Sequence, residues 1–236
     1  VSAPFLITID DKPVHCEPGE TILAACRRNQ IHVPTMCHFD GLSDVGACRL
    51  CLVEVEGSTK LLPSCATAAA PHQKVRTQTA QLKSYRRMIT ELLFAERNHV
   101  CSVCIANQNC ELQDMAYTVG MDHVRFPYLY PLCDVDASHK SFVQDDNRCI
   151  LCTRCVRVCT EVEGAHTWDI MGRGWESRLI SDFHQPWGES DTCTSCGKCV
   201  QVCPTGALWP RDAQPGRMIK SPGLISELVA KRKVGA

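Results

Sequence analysis

The 236-residue sequence contains no long apolar run. Nothing approaches the roughly 18 to 20 uninterrupted apolar residues of a membrane-crossing helix, so membrane insertion is not expected. It also lacks an excess of either charge: 25 Lys and Arg stand against 26 Asp and Glu, which leaves no field to recruit nucleic acid or an anionic membrane. The basic pairs Arg27-Arg28 and Arg86-Arg87 and the run Lys231-Arg232-Lys233 read as solvated faces. Residues 1–15 alternate like a strand and lack the charged leader and apolar run of a signal peptide, so a cytoplasmic location is expected. Neither G-x-G-x-x-G nor G-x-x-x-x-G-K-S/T occurs, so no dinucleotide or nucleoside-triphosphate fingerprint is visible.

What the chain has instead is cysteine, eighteen of them. In an exported mini-protein these would read as disulfides. Most here fall in C-x2-C groups on a chain without a visible leader, which suits metal binding in a reducing compartment. With most cysteines committed to metal, no nucleophile and base pair is evident and no catalytic residue is assigned. The expected role is electron relay.

The coarse pattern is α+β. Residues 5–9 alternate as a strand, 21–29 read as a short helix and 52–56 alternate again, forming a small unit that ends near Thr77. Residues 78–96 carry Leu82, Tyr85, Ile89, Leu92 and Leu93 at helical spacing and read as a connector. A second unit, to about residue 125, has a cysteine loop and a short helix near 111–117. Residues 126–141, with Pro127 and Pro131, read as a packed linker. A third unit spans 142–210, with an inserted hairpin at 167–171 and 177–183. The tail, 211–236, holds a short amphipathic stretch at 224–229 and is expected to dock a partner.

The third unit contains a repeat. Cys149-x2-Cys152-x2-Cys155-x3-Cys159 returns as Cys193-x2-Cys196-x2-Cys199-x3-Cys203. At this spacing three thiolates wrap three corners of a 4Fe-4S cube and the fourth ligates the other cube. Cys149, Cys152, Cys155 and Cys203 are therefore expected to hold one cluster, and Cys193, Cys196, Cys199 and Cys159 the other. Pro204 follows the last cysteine, whereas Thr160 stands at the matching place in the first copy. Zinc is the alternative occupant, but its four ligands commonly come as two separated pairs.

The N-terminal set is Cys37-x10-Cys48-x2-Cys51-x13-Cys65, a 2Fe-2S pattern with a longer first loop than the plant-type spacing. Gly41 and Gly46 lower the backbone cost of folding that loop. A zinc ribbon is the alternative here. Cys101-x2-Cys104-x5-Cys110 is one thiolate short, and His99 just upstream is the expected fourth ligand of a 4Fe-4S cluster; water or another cysteine is the alternative. Of the three unassigned cysteines, Cys16 and Cys26 read as buried small hydrophobes, and Cys133 is the rival to His99.

This order of sites resembles the N-terminal region of the complex I large iron-sulphur subunit, iron-only hydrogenases and the relay parts of NAD-dependent formate dehydrogenases. Residues 98–114 and 146–160 look closest to the small iron-sulphur subunit in the diaphorase half of NAD-reducing NiFe hydrogenases. The resemblance implies a β-grasp 2Fe-2S domain, a small 4Fe-4S domain with one histidine and three cysteine ligands, and a bacterial-type double 4Fe-4S domain. It also implies a hetero-oligomer containing the hydrogenase small and large subunits with the NiFe centre, and a flavin- and NAD-binding diaphorase subunit with FMN. In one respect the sequence departs from these relatives, which usually leave three residues between the histidine and the first cysteine; that position here is Arg97.

Overall fold

The structure, a computed structural model, describes residues 3–234 and divides into two compact units. The first comprises Val1–His38 and Asp44–Thr90, the second Phe39–Ser43 and Glu91–Ala236.

In the first unit, strand β1 (Phe5–Ile9) points Ile7 and Ile9 into the core, as its alternation requires. The strand expected through residue 15 instead turns back at Asp10 and Asp11, both with positive φ. Aspartate tolerates that conformation, and a two-residue loop closes the hairpin with β2 (Lys12–Cys16) in register Ile7↔Val14. Helix α1 (Ile22–Arg28) starts where Thr21 accepts the Ala24 N–H at 3.2 Å and ends on Asn29, with Arg27 and Arg28 in the last turn complementing the helix dipole. It buries Ile22, Leu23, Ala25 and Cys26 against the sheet residues. Strands β3 (Leu52–Val55), β4 (Leu62–Pro63) and β5 (Lys74–Arg76) complete a five-stranded sheet in the order β2-β1-β5-β3-β4, with β1 and β5 parallel and the other pairs antiparallel. Cys16 and Cys26 are fully buried in this core, as small hydrophobes.

Helix α2 (Ala80–Glu96) corrects two expectations. Leu92 is exposed, and the buried residues of the helix include Arg86, Thr90 and Glu91 alongside Leu82 and Phe94. Arg86 is therefore no solvated cation. It is 3% exposed and donates to the carbonyls of Leu50, Leu52 and Thr77 at 3.1, 3.0 and 2.8 Å, pinning the backbone on both sides of Cys51. Arg86→Leu leaves three buried acceptors unpaired and is expected to cost about 3 kcal/mol. A urea titration of the first unit's visible absorbance reads this as an earlier midpoint; an unmoved midpoint removes the pin. Arg28, by contrast, is half-exposed and paired with Glu20 at 2.8 Å. Of the C-terminal basic run, Lys231 is exposed, and the side chains of Arg232 and Lys233 lie outside the described residues.

The second unit holds α3 (Glu111–Thr118) and a three-stranded antiparallel sheet β10-β7-β6, made of β6 (Val135–Asp136), β7 (Phe142–Asp145) and β10 (Leu208–Pro210). Two short helices, α4 (Arg154–Arg157) and α5 (Lys198–Val202), each lie within a cysteine run, and the hairpin of β8 (Trp168–Met171) and β9 (Arg178–Ser181) lies between those runs in sequence. The core gathers Val158, Val200, Val202, Leu208, Trp168 and Trp187.

The repeat is visible in the backbone. Leu151 and Thr153 in the first copy, and Ser195 and Gly197 at the same positions in the second, all take positive φ before the helix begins. The copies then diverge. Pro204 follows Cys203, where α5 has stopped at Val202 and no further N–H is available. Thr160 imposes no such stop, and the first copy continues from α4 as a π-helical segment, Val158–Glu163, into the insertion.

Residues 126–141 are less packed than expected: Tyr128, Leu129, Tyr130 and Leu132 are exposed. The tail packs on its own unit, where α6 (Gly223–Val234) buries Ile225 and Val229 and the preceding Met218 is buried too; Leu224 and Leu228 face outward. Among the described residues no helix is long and apolar enough to cross a membrane.

Candidate metal centres

The first unit brings Cys37, Cys48, Cys51 and Cys65 together. The N–H groups of Met36 and Cys37 both point at the Cys48 sulphur at 3.4 Å, the Cys48 N–H points at Cys37 Sγ at 3.5 Å, and Cys51 and Cys65 stand sulphur to sulphur at 3.4 Å. Hydrogen bonds from Cys48 and Cys65 pull the Cys37 thiol far down, and one from Cys65 lowers Cys51 to about 6, while Cys48 and Cys65 are raised in exchange. Such a group holds thiolate charge and supplies backbone donors to it, which an iron-sulphur site requires. Gly41 and Gly46, in the sequence between Cys37 and Cys48, both take positive φ, at 96° and 60°.

In the second unit the three remaining sets each line a separate cavity. One, of about 290 Å³ including its mouth, is walled by His99, Cys101, Cys104 and Cys110. A second, of about 350 Å³, is walled by Cys149, Cys152, Cys155 and Cys203, and a third, of about 310 Å³, by Cys159, Cys193, Cys196 and Cys199. The fourth cysteine of each run faces the cavity of the other run.

The first of these cavities has polar atoms without partners. His99 Nε2 and Arg148 Nη1 are buried, line it and make no hydrogen bond. His99 engages the backbone at Leu93, and burial, with the cations of Arg148 and Arg97, pushes its pKa down to about 4, so the ring is neutral at neutral pH and a ring nitrogen is available to a metal. The wall opposite is Gly206, where an added Cβ would stand 2.8 Å from the Cys104 sulphur. An imidazole nitrogen, three sulphurs, one unpartnered guanidinium nitrogen and a glycine clearance fit an anionic metal-sulphur group. Cys133 does not line this cavity; its sulphur takes an N–H from Arg97 at 3.6 Å, and Arg97 reaches the Ser177 carbonyl as well. Arg97 is thus engaged away from this cavity.

The other two cavities are drier. Burial raises Cys149, Cys155 and Cys199 and pushes Cys152 up to about 11 against the pull of Arg154 and Arg157, so these thiols keep their protons until a metal displaces them. Arg154 is clamped by both carboxylate oxygens of Glu111, at 2.7 and 2.9 Å, over the ring of Phe39. Sequence reading missed Arg148, Arg154, Arg157 and Gly206. Their nearness to cysteines in the sequence was visible, but their burial depends on contacts made by distant residues.

The chain is similar to known proteins along most of its length. Residues 2–80 match the family described as 2Fe-2S iron-sulfur cluster binding domain, residues 86–125 the NADH-ubiquinone oxidoreductase-G iron-sulfur binding region, and residues 141–209 the ferredoxin-like domain of NADH-quinone oxidoreductase subunit 3. The gamma chain of the NAD-reducing hydrogenase HoxS of Cupriavidus necator is 33% identical over 86% of this chain and 85% of its own length. The chain belongs to the family of this hydrogenase gamma chain. A chain of the NAD+-reducing NiFe hydrogenase, crystallised in the H2-reduced state, superposes with a TM-score of 0.83 at 36% identity, covering 89% of each chain. Other curated relatives are much longer. The NADH-ubiquinone oxidoreductase 75 kDa subunit of Reclinomonas americana is 35% identical over 86% of this chain, which spans only 29% of that protein. As a member of the gamma-chain family the protein is an α+β iron-sulphur protein with 2Fe-2S and 4Fe-4S binding regions.

Proposed function

We propose that the chain is the electron-relay subunit between a NiFe hydrogenase module and an FMN- and NAD-binding diaphorase subunit, supporting reversible H2 oxidation coupled to NAD+ reduction. The observation that carries this is the likeness to the Cupriavidus necator protein, which runs along 85% of that protein rather than along one shared domain. The ligand sets are Cys37, Cys48, Cys51 and Cys65 for a 2Fe-2S cluster and, for three 4Fe-4S clusters, His99 with Cys101, Cys104 and Cys110, Cys149 with Cys152, Cys155 and Cys203, and Cys159 with Cys193, Cys196 and Cys199. Bound clusters supply one-electron redox centres. The protein supplies the remainder: thiolates and one imidazole to hold them, Arg148, Arg154 and Arg157 to offset negative charge, and apolar walls to exclude water. FMN, NAD and the NiFe centre are assigned to partner subunits.

Purification of the native complex from its host tests this. Expected are nickel, FMN and H2-dependent NAD+ reduction together with this chain, and visible absorption that dithionite bleaches. The likeness to the Reclinomonas americana protein supports a second reading, a relay region of a complex I-like assembly. Co-purification without nickel, with NADH-dependent bleaching retained, favours that reading.

A further inference from the structure

Residues 160–192 separate the two cysteine runs and hold no proposed ligand. They place two tryptophans at the cavity of Cys159, Cys193, Cys196 and Cys199. Trp187 is 1% exposed, and its indole N–H donates to Cys193 Sγ at 3.2 Å. Trp168, on β8, is also buried and lines the same cavity. The two rings meet edge to face at 4.7 Å. A second donor comes from outside the insertion. His139 accepts the N–H groups of Ser141 and Phe142 on Nδ1, at 3.0 and 3.2 Å, so its ring proton sits on Nε2, which faces Ser195 Oγ at 3.1 Å and Cys193 Sγ at 3.9 Å.

The neighbouring cavity is treated differently. Ile170, two residues along β8 and so on the same face as Trp168, lines the cavity of Cys149, and Leu179 of β9 joins it there. The donor that reaches Cys149 is the backbone N–H of Leu151, at 3.4 Å. One hairpin thus presents an indole to one site and aliphatic carbon to the other.

A buried indole N–H requires an acceptor, and here the acceptor is a ligand sulphur. Such a bond grows stronger as negative charge on the sulphur grows, so it stabilises the reduced form more than the oxidised. We propose that the insertion is a tuning device, in which Trp187 acts as a positioning residue that hydrogen-bonds Cys193 and raises the reduction potential of the cluster held there. This rests on the reading that the cavity holds a 4Fe-4S cluster.

The test is an anaerobic redox titration of the full chain followed by EPR, with iron and sulphide analysis, on the wild type, on Trp187→Phe, and on protein carrying 3-benzothienylalanine at position 187, which keeps the ring shape and lacks the N–H. The expected result is full iron content, a downward shift of one cluster's midpoint in both altered proteins and no shift in the others. Resonance Raman spectra should lose the D2O sensitivity of one Fe–S(Cys) stretch. An unmoved midpoint at full iron in the benzothienyl protein overturns the proposal, whatever the Phe variant does. A wild type with only two 4Fe-4S signals and no cluster at Cys193 overturns the underlying reading and the proposal with it.

Discussion

Cys149→Ser is expected to remove one 4Fe-4S cluster and damage a second, taking iron from about fourteen per chain to about ten or fewer and abolishing H2-to-NAD+ turnover. The reason is the interleaving of the two runs. Cys149 shares its cavity with Cys203, which belongs to the second run, while Cys159 of the first run stands with Cys193, Cys196 and Cys199. A site that loses one sulphur releases Cys203, whose neighbours Thr205 and Ala207 line the same wall, and α5, which ends just before Cys203, carries Cys199 of the other site. The contrast is Cys16→Ala, a fully buried cysteine outside every proposed ligand set. It should keep all fourteen irons and cost only about 1 kcal/mol in packing. Full iron and normal turnover in Cys149→Ser would mean that the pairing is wrong.

His99 should give the second large effect. Neutral imidazole leaves the cluster one negative charge poorer than thiolate, so the extra electron is accepted more readily and the potential is raised. His99→Cys is expected to keep its iron while one midpoint falls, because the cavity already accommodates three sulphurs and the added charge opposes reduction. His99→Ala should make that cluster labile: Cys133 is held by Arg97, so no side chain is poised to replace the ring. A redox titration of both variants followed by EPR decides it. Unchanged spectra and midpoints for every cluster show that His99 is not a ligand, and Cys133 becomes the next candidate.

The cysteine groupings were legible because cluster geometry acts through short-range spacing. C-x2-C places two sulphurs on one turn of chain, and the structure walls each cavity with one such set. Elements with strong local signals were legible too, among them β1, α1 and the β8–β9 hairpin. The unread parts depend on distant partners. Strand β5 has three residues, too few for a pattern, and exists because β1 and β3 flank it. Arg86 looks like half of a basic pair; its burial comes from the carbonyls of Leu50, Leu52 and Thr77, which no helical periodicity announces. The role of Trp187 likewise shows only when its N–H is seen to meet the Cys193 sulphur.

The most direct measurement of the four-cluster assignment is Mössbauer spectroscopy of the anaerobically purified, iron-57-enriched chain, with metal and sulphide analysis of the same sample. The expected result is about fourteen irons per chain, about twelve in 4Fe-4S clusters and about two in a 2Fe-2S cluster, with no stoichiometric zinc. A reproducible value of about ten irons, or zinc at one or more of these sites, contradicts it.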